Sequence, residues 1–147
     1  MKSAIDSQIN DMSNGAGSRK LGIVTFNHEV QIIGDGTQAS QTITGDHLMD
    51  FEYMQNNGKA QAAQKMTQPI SATKDDLKAK LDQIEETGPT ALGPGILTAV
   101  AMATEGSAGS SVVICTDGLA NVGLGAWDEC YTEEQIAAAT QFYERVG

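Results

Sequence analysis

Two short groups of residues carry the types and spacing that could do chemistry. The first is Asp117-Gly118, which follows the apolar run SVVICT. An Asp at the carboxyl end of a buried strand can hold a metal, cap a loop or act as an acid or base. The second is Thr87-Gly88-Pro89-Thr90, just ahead of an apolar helical segment. It offers hydroxyls and backbone N–H groups at a helix start. A hydroxyl and a carboxylate together make hard oxygen ligation of the kind Mg²⁺ takes. Taken alone, each group is weak, because an Asp followed by Gly is also an ordinary turn signal.

Elements must exist to bring the two groups to one place. Leu21–Phe26 (LGIVTF) is a near-continuous apolar run, as expected of a strand covered on both faces. Glu29–Ile33 follows after Asn27-His28, so the two runs are expected to form an antiparallel hairpin. Gly34-Asp35-Gly36 reads as a turn, and Gln41–Thr44 as a short edge strand. Ser111–Thr116 is β-branched and apolar and reads as a second buried strand.

Helical signals lie between these runs. Ile5, Ile9 and Met12 share one helical face with Met1. Asp46 is positioned to cap a helix over Leu48–Asn56 that Gly58 would end, and Lys59–Met66 reads as a further helical stretch. Thr73 and Asp76 resemble a capping box for a helix whose apolar stripe is Leu77, Leu81 and Ile84. Pro94 suits the first turn of the next helix, whose core face is Ile96, Leu97, Val100 and Ala101. Thr132 caps a last helix reaching Val146, with Glu133 and Glu134 complementing its dipole. Alternation of strands with helices predicts an α/β class with a mainly parallel, Rossmann-like sheet, one antiparallel edge hairpin and helices on both faces. Ligands of such sheets bind at the carboxyl ends of the strands, where Thr90 and Asp117 would fall.

Composition narrows the function classes. The 147 residues, 40% of them apolar, fit one folded domain, residues 1–147. A net charge of −10 opposes a phosphate backbone or an anionic membrane, so no nucleic-acid partner is expected. No apolar run approaches the roughly 20 residues of a membrane span. Two cysteines, Cys115 in an apolar run and Cys130 in a polar loop, fit a reducing compartment and predict a cytoplasmic protein. GPTALGPG is not a P-loop, because no Lys-Ser/Thr follows its glycines. Trp127, the single tryptophan, either anchors a partner or packs on the sheet edge.

In order and spacing, GPTALGPGI, a helix, and then VVICTDGLANVG resemble the second half of the von Willebrand factor type A family. The hairpin LGIVTFNHEVQIIGDG resembles that family's second and third strands, and the likeness is to its intracellular branches. The resemblance implies a non-enzymatic protein-binding module with a metal-ion-dependent adhesion site. Thr90 and Asp117 would be its metal ligands, and an acidic side chain of the partner would complete the Mg²⁺ shell. Gly118, Asn121 and Trp127 would flank the contact. It also implies that the first strand, with its Asp-x-Ser-x-Ser motif, and the last strands are missing. Other readings of the residues are a Mg²⁺-dependent hydrolase using Asp117 and a metal-free structural scaffold.

Overall fold

The computed structural model describes residues 2–15, 17–85, 88–116, 118–126 and 132–146. In chain order the elements are α1 (Lys2–Ser13), β1 (Ile23–Phe26), β2 (Val30–Gly34), β3 (Gln41–Ile43), a 3-10 segment (Gly45–Met49), α2 (Phe51–Lys65), α3 (Ile70–Asp82), α4 (Leu92–Thr104) and α5 (Glu133–Val146).

The three strands form one sheet in the order β1-β2-β3, and both pairings are antiparallel. Phe26 faces Val30 across the hairpin, and Val30 faces Ile43 on the other side. This corrects the expected mainly parallel, Rossmann-like sheet. The tight β1–β2 connection closes at Asn27, whose N–H donates to Glu29 O at 2.9 Å. So short a link permits only antiparallel pairing, whereas parallel strands need a crossover of a dozen or more residues. The parallel expectation rested on Ser111–Thr116 returning through α4 to the sheet. Those residues form no strand here, and Val113 is 82% exposed.

Strand periodicity sorts the core into two clusters, because neighbouring residues of a strand point to opposite faces. Val24, Phe26, Val30, Ile32 and Ile43 join Met54 and Ala62 of α2, Leu97 and Met102 of α4, and Phe142 of α5. Ile23 belongs instead with Ile9 of α1 and Ile70, Leu77 and Leu81 of α3. Between α1 and α3 a polar seam runs beside this second cluster. Lys78 Nζ donates to Asn10 Oδ1 at 2.8 Å and lies 3.4 Å from the Asp6 carboxylate.

Three helix boundaries differ from the sequence expectation. Asp50, not Asp46, caps α2, and its carboxylate accepts from Tyr53 N at 2.9 Å. Helix α2 then continues through Gly58. A Cβ at that position would lie 2.9 Å from Ala101 Cβ and 3.0 Å from Thr98 O, so the glycine serves the close approach of α2 to α4. Thr73 is no cap either. It is fully buried inside α3 and donates to Pro69 O at 3.3 Å, one turn back. At α5 the cap is as expected and reciprocal: Thr132 Oγ1 accepts from Gln135 N, and Gln135 Oε1 accepts from Thr132 N at 2.9 Å.

Candidate functional site

Thr90 stands where β1 ends and α4 is about to begin. The neighbouring Ala91 N–H donates to Asn27 O at 2.7 Å, which ties this connection to the end of β1. Asn121 then grips the Thr90 residue from both sides. Its Oδ1 accepts from Thr90 N at 2.5 Å, and its own N–H donates to Thr90 O at 3.0 Å. Val122 N adds a second donor to the same carbonyl at 3.3 Å. Gly118 closes the group: a Cβ built on it would lie 3.0 Å from Thr90 Oγ1. The local bend at Gly118 is held by Thr116 Oγ1, which accepts from Gly118 N at 3.3 Å.

Thr90, Gly118 and Asn121 are therefore neighbours at the end of the sheet. Asp117 and Trp127 lie outside the described residues, as do Thr87 and Cys130. Among the described residues, no group of three or more His, Cys, Asp or Glu side chains could hold a metal ion. Mg²⁺ takes near-octahedral oxygen coordination. The described side chains do not fit that demand, since the cluster contributes the Thr90 and Thr116 hydroxyls with neutral amide and backbone groups and no carboxylate.

The carboxylate that the fold does enclose is one that sequence reasoning treated as a turn. Asp35 is fully buried. Its Oδ1 accepts from Thr37 N at 3.1 Å and from Thr37 Oγ1 at 2.6 Å. Its Oδ2 accepts from Thr67 N at 3.0 Å and Gln68 N at 3.2 Å. Burial pushes the Asp35 pKa up. The Thr37 hydroxyl, then the Thr37, Gln68 and Thr67 N–H groups, outweigh it and hold the carboxyl below its ordinary value. The residue stitches the end of β2 to the α2–α3 connection. The available signal was Asp followed two residues later by Thr, the spacing of a side chain that bonds its own backbone ahead.

No protein-family model matches the chain. The chain is 35% identical, over 148 aligned positions, to circularly permutated Ras protein 1 of Dictyostelium discoideum. The alignment takes in 99% of this chain and 17% of that protein, so the chain spans about a sixth of its relative's length. This similarity, with the wholly antiparallel sheet, overturns the resemblance to the von Willebrand factor type A family and the adhesion-site function drawn from it. Completion of a metal shell by a partner's acidic side chain loses its basis at the same time. A firm assignment as a non-enzymatic module does not stand beside a Ras-named relative either. Among the described residues, no helix is long and apolar enough to cross a membrane.

Proposed function

We propose that this chain does the work of a structural scaffold segment in a Ras-type nucleoside-triphosphate hydrolase, without itself holding the nucleotide. The observation that carries the proposal is the similarity along almost the whole chain to part of a Ras-named protein. Ras-type phosphoryl transfer uses a P-loop whose backbone and Lys cradle the phosphates, together with Mg²⁺. This sequence contains no Gly-x₄-Gly-Lys-Ser/Thr. A divalent cation thus belongs to the proposal for the larger enzyme, and the chain's 147 residues act in it as one folding unit. Within that unit the Thr90–Asn121 clasp ties the connection that enters α4 to residues 118–126.

A second reading gives Thr90 and Asp117 a direct part in Mg²⁺ binding for hydrolysis. The approach of the Gly118 backbone to the Thr90 hydroxyl favours it, since Asp117 precedes Gly118 in the chain. Gly118, Asn121 and Trp127 would then border the reacting group or a protein partner. Hydrolysis of GTP by the isolated chain in Mg²⁺ separates the two. The scaffold reading expects no turnover above the uncatalysed rate. Turnover that Asp117→Ala abolishes would replace it with the second.

A further inference from the structure

Phe142 joins three parts of the chain at one buried point. It is 7% exposed and belongs to the larger core cluster. Its ring lies against two glycines that have no room for a side chain. A Cβ built on Gly125, in the segment 118–126, would fall 2.6 Å from Phe142 Cδ1. One built on Gly93, in the first turn of α4, would fall 3.0 Å from Phe142 Cε1 and would collide with Leu124 O. The adjacent Tyr143 hydroxyl donates to Gly125 O at 3.3 Å. Helix α5 thus bridges the same two segments that the Thr90–Asn121 hydrogen bonds bridge, a turn further along each.

The two bridges differ in strength. Asn121 is exposed and Thr90 half-buried, so water competes for their hydrogen bonds. The Phe142 contact is buried, and water does not replace it. The aromatic wedge, more than the exposed clasp, decides how 118–126 lies against α4.

The wedge is carried by a helix with a small foothold. Every residue of Glu133–Ala138 is exposed, and the buried residues of α5 are Ala139 and Phe142. A helix of 14 residues is marginal by itself in water, so α5 draws its order from docking. Elements with so few buried contacts open at a lower free energy than the whole fold. We propose that α5 is a conformational latch on the candidate site. Docked, it presses 118–126 onto α4 through Phe142 and keeps the Thr90–Asn121 clasp closed. Released, it unwinds and frees the Thr90 N–H and C=O from Asn121 while the sheet stays folded. The latch concerns only the position of the segment, so it holds for either reading of what the site does.

Native-state hydrogen exchange of the whole chain in low denaturant tests this. Amides of α5, Leu124, Asn121 and Thr90 should share one opening at lower denaturant than amides of the central strand β2. Phe142→Leu should quicken exchange at Thr90 and Leu124 about tenfold. Ala137→Gly gives the sharper readout, because Ala137 is exposed and lies in the half of α5 that is held by no buried residue. By helix propensity alone it should favour the open state about fivefold, and the Thr90 and Leu124 amides should quicken by that same factor. Its fold is expected to survive, so the test stands even where Phe142→Leu does not fold. Ala137→Gly that quickens the α5 amides and leaves Thr90 and Leu124 unchanged would overturn the proposal. So would α5 amides that exchange only with global unfolding.

Discussion

Asn121 holds Thr90 by both its side chain and its backbone: Oδ1 accepts the Thr90 N–H at 2.5 Å while the Asn121 N–H reaches Thr90 O at 3.0 Å. The pair joins two segments far apart in the chain and positions the start of α4. Asn121→Ala removes the Oδ1 acceptor and leaves the Thr90 N–H to water. A loss of about 1 kcal/mol in denaturant unfolding is expected, because Asn121 is exposed and water can replace the bond. Hydrogen exchange at the Thr90 amide should quicken. Asn121→Asp, which keeps an acceptor, should retain most of the protection.

Asp35 should set an acid limb on the stability of the fold. Its ordinary value is 3.8, and in the folded chain it lies lower. A depressed carboxyl contributes stability that is fully present above the unfolded value and is lost as pH falls through the folded one. Denaturant midpoints should therefore hold above about pH 5 and decline below pH 4. Asp35→Asn turns an amide toward the Thr67 and Gln68 N–H donors, or toward Thr37. It should cost on the order of 3 kcal/mol at neutral pH and flatten this residue's share of the acid decline. Equal pH slopes in the two proteins would refute the assignment.

Gly58 should tolerate no side chain. Its missing Cβ leaves room for Ala101 and the Thr98 carbonyl of α4. Gly58→Val should destabilise by about 2–3 kcal/mol through overpacking. Asn56→Val, an exposed site of the same helix, should cost only its small propensity difference. Similar losses in urea titrations of the two variants would mean that helix propensity, not the α2–α4 contact, explains Gly58.

What the sequence revealed and what it hid follow from the range of the signals. The β1–β2 hairpin was legible, because two apolar runs joined by Asn27-His28 leave little freedom. So was α1, from Ile5, Ile9 and Met12, and the Thr132 cap of α5. Gly58 misled because a glycine that ends a helix and one that lets two helices touch look alike in one dimension. Asp35 was hidden because its donors at Thr67 and Gln68 come from a distant connection. Ser111–Thr116 shows the same limit from the other side. Its composition reports a preference for a sheet and cannot report whether a neighbouring strand is there to meet it. At the site, Thr90, Gly118 and Asn121 were singled out and the fold makes them neighbours. The metal role assigned to Thr90 and Asp117 came from one hydroxyl and one carboxylate, joined to a family resemblance, and not from a set of ligands sufficient for an ion.

Titration calorimetry of the chain with Mg²⁺, alone and in the presence of GTP, tests the scaffold account most directly. The described part of the cluster offers the Thr90 and Thr116 hydroxyls and no carboxylate, against the six oxygens Mg²⁺ requires. The account expects no binding heat at micromolar to low millimolar Mg²⁺, with or without nucleotide, and identical traces for Asp117→Ala. Saturable Mg²⁺ binding that Asp117→Ala and Thr90→Val each abolish would contradict it and assign the ion to this chain.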